Sequence, residues 1–166
     1  MRHFSFLLII CILLVPSPTD AGVEDRLTIV YALLGEEGWR PTRGHAAILH
    51  VLERRRTKLP AFEGYTLTEM TKAYSKFLSP KRDPQLPHRA AIYALTIDTA
   101  PQWTVRMVDA FLENPENVKD PCKGKAWNWG ATWEIKAPKE RIVDCGRTRN
   151  TFLKLEKRAT AVARRR

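Results

Sequence analysis

Two adjacent carboxylates, Glu36 and Glu37, stand in the segment Leu34-Gly35-Glu36-Glu37-Gly38-Trp39, at the end of a run with helical periodicity. A helix C-terminus carries partial negative charge, and an indole such as Trp39 can shield a neighbouring carboxyl from water. Both effects disfavour the ionised form and hold a carboxylic acid nearer neutral pH. A glutamate in that state can act as a general acid and protonate a glycosidic oxygen. Judged on these residues alone, two glutamates at a helix end fit solvated charges better than catalysis.

A second set of residues suits carbohydrate. Trp127, Trp129 and Trp133 share a segment with Asn128 and Gly130. Alternate positions lie on one face of a strand. Flat indoles can stack on the apolar face of sugar rings, and the Asn128 amide offers both a donor and an acceptor to an acetamido group. Core packing is the competing role for at least two of the three tryptophans. The usual signatures of other chemistries are missing: no His-Glu-x-x-His, no Gly-x-Ser-x-Gly, no phosphate-binding Gly-x-x-x-x-Gly-Lys and no Cys-x-x-Cys. No metal or cofactor is therefore expected. His45 and His50, five positions apart, do not share a helical face. They read as surface or satisfied, partly buried side chains, and His88, after Pro87, as solvated.

The elements that must carry these residues are mostly helical. Leu27, Val30, Leu33 and Leu34 make one face of a helix from Glu24 to Leu34, which Gly35 and Gly38 end. Thr42 is placed to cap a second helix, Arg43 to Arg56, with Ala47, Ile48, Val51 and Leu52 inward and Glu53 to Arg56 toward solvent. Thr66 and Glu69 form a capping box for a third, carrying Leu67, Met70, Tyr74 and Phe77 on one face and ending toward Pro80. Residues 79 to 88 hold three prolines and read as an irregular loop. A short helix, Arg89 to Leu95, and a clearer one, Gln102 to Leu112, follow, the latter with Trp103, Met107, Ala110 and Phe111 inward. Short strands are expected at Ala126–Trp129, Trp133–Ile135, Arg141–Val143 and Thr151–Leu155. The class is α+β, mainly α, with a small C-terminal β-hairpin region.

The N-terminus reads as a secretory leader over residues 1 to 21: a basic start, an apolar run from Phe4 to Val15 too short to span a bilayer, helix-breaking Pro16 and Pro18, and small Ala21 before Gly22. An uncleaved anchor is the alternative. The expected location is secreted or periplasmic. Residues 22 to 156 then form one domain and 157 to 166 a basic flexible tail. The formal net charge of +10 stays with the mature chain, because the leader removes Arg2 and Asp20 together. Such a charge points to an anionic partner without choosing among cell-wall polymers, lipid headgroups and nucleic acid. The scatter of the basic residues and the export signal argue against nucleic acid. Cys122 and Cys145, the two cysteines left after the leader, are expected to be bonded, closing a loop worth roughly 3 to 4 kcal/mol.

Read in order, the segments resemble the bacterial spore-cortex-lytic type of cell wall hydrolase, a family of lysozyme-like glycan-cleaving enzymes. The resemblance rests on Val30-Tyr31-Ala32 leading into Gly35-Glu36-Glu37-Gly38-Trp39, the alanine-rich helix from Ala46-Ala47-Ile48 through Glu53-Arg54, and Ala73-Tyr74-Ser75-Lys76-Phe77. It continues with the Trp103-led helix, Asp120-Pro121 with Ala126 to Gly130, and Gly146 to Asn150-Thr151-Phe152. It covers residues 26 to 155 as an order of short motifs. It implies a lysozyme-like helical domain acting as a monomer on peptidoglycan glycan strands, and on anionic wall polymers by charge. One glutamate would protonate the leaving oxygen and then act as base, either in a lytic transglycosylase or in a muramidase. Glu36 and Glu37 are both candidates for that acid, Glu36 being favoured because it precedes the turn and stays on the helix end. Trp39, Tyr74, Ser75, Trp127, Asn128 and Trp129 would bind the sugars. Family members have His where this chain has Asn128, so binding rather than proton transfer is assigned there. A noncatalytic cationic polysaccharide-binding protein is the rival reading.

Overall fold

The computed structural model describes residues 20–79 and 87–155. The expected leader except its last two residues, most of the Pro-rich loop, and the basic tail lie outside them. Among the described residues five α-helices precede a small sheet: α1 (Asp20–Glu37), α2 (Arg43–Lys58), α3 (Leu67–Tyr74), α4 (Pro87–Tyr93) and α5 (Gln102–Glu113), then β1 (Asn128–Ala131), β2 (Ile142–Val143) and β3 (Asn150–Leu153). The chain is thus mixed α+β and mainly helical. No described helix is long and apolar enough to cross a membrane.

Helix α1 is the axis of the fold. It packs against α2, α3, α4 and α5. Burial on several sides is why Ile29, Val30, Ala32, Leu33 and Leu34 are all withdrawn from water, a wider apolar surface than the single stripe expected from sequence. The helix also runs through Gly35 instead of stopping there. A Cβ on Gly35 would lie 2.0 Å from Cγ of Phe77, so this glycine serves close packing rather than termination. Gly38 closes the helix at φ +94°, its N–H bonding the Leu34 carbonyl at 2.9 Å.

The caps of α2 and α3 form as the sequence predicts. Thr42 Oγ1 accepts the N–H of Gly44 at 3.1 Å, and Thr66 Oγ1 accepts that of Glu69 at 3.1 Å while the Glu69 carboxylate accepts the Thr66 N–H at 2.7 Å. Two expectations about faces fail. Arg54 does not face solvent: it pairs with Asp120 at 2.6 Å and also donates to the Ala126 carbonyl, tying the loop before β1 to α2. In α5 the buried face is Thr104, Val105, Val108 and Phe111, with Trp103, Met107 and Ala110 only partly covered. Helix α3 stops at Tyr74, so Phe77 enters the core from the following turn.

The sheet has strand order β1-β3-β2, both pairings antiparallel, with Phe152 opposite Trp129 on one side and Val143 on the other. The expected strand Trp133–Ile135 is a turn instead, and β1 begins two residues later than expected. The Cys122–Cys145 disulfide forms, its Cα atoms 4.4 Å apart. It fastens the segment before β1 to the segment after β2.

Candidate functional site

The last turn of α1 delivers Glu36 and Glu37 to opposite surroundings. Glu36 opens into a cleft of about 610 Å³ between that turn, the segment after α3, α4 and the sheet. Its Oε1 accepts the Ser75 hydroxyl at 2.8 Å and the Phe77 N–H at 3.0 Å; its Oε2 lies 3.4 Å from the indole N–H of Trp129. Three donors from two distant segments therefore fix one carboxylate while leaving it half-exposed to the cleft. The turn that presents Ser75 and Phe77 is itself anchored. Ser75 is buried, and the Phe77 ring sits under Gly35 with the Arg89 guanidinium 5.3 Å from its centroid.

Glu37 is fully buried. Its Oε1 accepts the Thr42 hydroxyl at 2.7 Å and the Arg149 N–H at 2.6 Å, and its Oε2 accepts the Asn150 amide at 2.8 Å. The same Asn150 amide group donates to the Glu36 carbonyl at 2.9 Å. A Cβ on Gly44 would overlap the Glu37 carboxyl at 2.1 Å, so the first turn of α2 carries a glycine against it. This corrects the pairing of the two glutamates as catalytic candidates: Glu37 is a buried clamp between α1, α2 and β3, and Glu36 alone meets the cleft.

His45 completes the clamp and is fully buried. Its Nε2 lies 3.0 Å from the Gly38 carbonyl, which can only accept, so Nε2 carries the proton and the neutral ring's Nδ1 accepts the Thr42 N–H at 3.3 Å. Burial pushes His45 below its ordinary value of 6.5, against the opposing pull of the Gly38 carbonyl, Glu37 and Thr42. His50, half-buried, is satisfied by the Val118 carbonyl at 2.6 Å.

The remaining sequence candidates divide. Trp39 lines the cleft and is 43% exposed, and Ser75 and Trp129 act on Glu36 directly. Neither Tyr74 nor the buried Ser75 lines the cleft; the Tyr74 ring lies under the Arg55 guanidinium, 3.9 Å from centroid to Cζ, and against Phe62. Trp127 and Asn128 sit with the same arginine pair, Trp127 5.9 Å from Arg54 and Asn128 3.4 Å from Arg55. Trp127 precedes β1, and neither it nor the buried Trp129 lines the cleft, although the Trp129 indole N–H reaches Glu36. Their period of two is real in sequence, but only Trp129 is in the strand.

Trp133, one of the three indoles expected to suit sugar stacking, is 81% exposed and stands at the cleft. Other residues of the site were missed by reading the sequence: Glu134 stands beside it and pairs with Lys76 across the opening. The Phe77 backbone N–H and the Asn150 amide carry no sequence signal of their own. His88, exposed as expected, also lines the cleft. Among the described residues, no group of three His, Cys, Asp or Glu side chains could hold a metal ion.

A carboxyl held by directed donors at the side of a cleft, with two exposed indoles nearby, can give a proton to a bound ligand and take one back. No protein-family model matches this chain, and no curated protein or solved structure shows significant similarity to it.

Proposed function

We propose that this chain cleaves the glycan strands of peptidoglycan, with Glu36 as a single residue acting first as acid and then as base. The observation that carries the reading is the division of labour between neighbours: Glu37 is consumed by structure, while Glu36 is oriented by Ser75, Phe77 and Trp129 and faces an open cleft. An acid must be held within hydrogen-bond reach of the oxygen it protonates, and fixing the carboxyl by several donors supplies that.

In the proposed reaction the protonated Glu36 gives its proton to the glycosidic oxygen as the bond to the muramoyl sugar breaks. The resulting carboxylate then takes a proton from the attacking hydroxyl. A 6-hydroxyl of the same sugar gives an anhydro end; water gives a reducing end. The single-acid route is favoured because Glu134, the other carboxylate at the cleft among the described residues, is engaged by Lys76. Trp39 and Trp133 offer exposed indole faces for the sugars. A buried helix ending in the acid opposite a small antiparallel sheet supports the lysozyme-like reading of the sequence, and the disulfide supports export.

The test is clearing of purified sacculi by the mature protein and by Glu36→Gln, followed by mass analysis of the released sugars. Clearing by the parent and none by the variant is the expected result. Equal clearing by both would remove Glu36 from the chemistry, and binding of sacculi without release of sugar by either would favour a noncatalytic wall-binding protein.

A further inference from the structure

Beside the Glu36 cleft lies a second groove, of about 680 Å³, formed where the turn between α1 and α2 faces the loop before β3. Its walls bring together the side chains of Arg40, Arg43, Arg147 and Arg149 with Trp39 and Thr148. These four guanidiniums come from two segments about a hundred positions apart in sequence, so the fold, not local composition, gathers them. None of them joins an ion pair among the described residues, whereas Arg26, Arg54 and Arg56 are each paired with a carboxylate. Glu37 lies at the floor of the groove, but its oxygens already accept from Thr42, Arg149 and Asn150. Asp144 is turned to the Gly146 N–H, 2.8 Å away.

Two of the arginines have built positions. A Cβ on Gly38 would come within 2.3 Å of an Arg149 guanidinium nitrogen, and one on Gly146 within 2.7 Å of an Arg43 guanidinium nitrogen. Both glycines also have positive φ, +94° and +79°. Bare backbone is thus what lets these two side chains lie close against their turns.

We infer that this groove binds carboxylates of the peptide stem carried by the glycan strand seated in the neighbouring cleft. The inference rests on the proposed function, because Trp39 and Arg149 line both hollows and make them continuous. A muramoyl sugar beside Glu36 would project its stem away from the scissile bond, and the groove lies next to that position. Guanidinium forks match carboxylates through paired N–H donors, and several in one hollow suit a ligand with more than one carboxylate. The groove would then select strands that still bear stems over stripped ones.

The deciding experiment is a calorimetric binding titration of the mature Glu36→Gln protein. The probes are a soluble stem peptide with free carboxylates, the same peptide with its carboxylates amidated, and a glycerol-phosphate polymer. The free-acid peptide should bind about tenfold tighter than the amidated one, and Arg43→Gln/Arg147→Gln should erase the difference. Unchanged thermal melting of the double variant would show that it is folded; single variants serve if it is not. Equal binding of both peptides, a preference that survives in the variants, or binding of the phosphate polymer alone would overturn the inference. Cleavage plays no part in this readout, so sacculus clearing can fail or succeed independently of it.

Discussion

The backbone N–H of Arg149 donates to Glu37 Oε1 at 2.6 Å, joining the end of the first helix to the start of the last strand across 112 positions of sequence. With Thr42 and Asn150 on the same carboxylate, Glu37 is the knot of the site rather than a reagent. Replacing it by Ala leaves one N–H of the buried Asn150 amide without an acceptor and removes the partner of two part-buried donors, and a buried orphan costs about 1 to 3 kcal/mol. A fall in melting temperature of about 10 °C is expected. Glu37→Ala melting within a degree or two of the parent would show that the clamp contributes little.

Glu36 should behave in the opposite way. Glu36→Gln keeps an oxygen acceptor for Ser75 and Phe77, so the fold should be almost as stable as the parent while sugar release falls by at least about a thousandfold. Ser75→Ala removes one of the donors that orient the acid and should lower kcat about tenfold with little change in KM. A Ser75→Ala protein with unaltered kcat would mean that the orientation of Glu36 does not depend on that hydroxyl.

Gly35→Ala tests the packing that supports the acid from behind. The new methyl would overlap the Phe77 ring, so the ring and its N–H must move away from Glu36. A loss of about 2 kcal/mol is expected from overpacking, with activity reduced further than stability alone explains. Activity assayed well below the melting transition separates the two; full activity there would place the Phe77 N–H outside the machinery.

His45 makes stability pH-dependent. Its folded value lies below the unfolded one, so at mildly acid pH the unfolded chain binds more protons than the folded chain. The contribution is complete above the unfolded value of 6.5 and is lost as pH falls below it. Melting temperature should therefore drop between pH 7 and pH 5, and His45→Gln, although less stable at pH 7, should show a flatter profile. Parallel profiles for parent and variant would assign the acid sensitivity elsewhere.

Local features of this fold were legible in the sequence because they are governed by neighbours. The Thr42 and Thr66 caps, the extent of α2 and the placing of Glu36 on a helix end all follow from residues within one or two turns. What could not be read depends on distant partners. Glu36 and Glu37 are indistinguishable by composition; Asn150 and Arg149, far along the chain, join Thr42 in making one structural and leave the other for the cleft. The tryptophan alternation misled for a related reason. The Trp127 N–H still bonds the Leu153 carbonyl of β3 at 2.7 Å, but its ring lies beside Arg54 away from the cleft, while Trp133, past the strand in an open turn, meets the cleft. The α5 face was misjudged because bulky Trp103 and Met107 outweighed the smaller Val105 and Val108 that are buried.

The partners of Glu36 lie 39, 41 and 93 positions away on its carboxylate and 114 away on its carbonyl. Helical turns form early and locally, whereas contacts of such span must wait for large loops to close. The orientation of Glu36 therefore requires the segment after α3 and the paired β1 and β3 all to be in place. A chain still being synthesised or held unfolded carries Glu36 as an ordinary solvated side chain, and only the completed fold turns it into an oriented one.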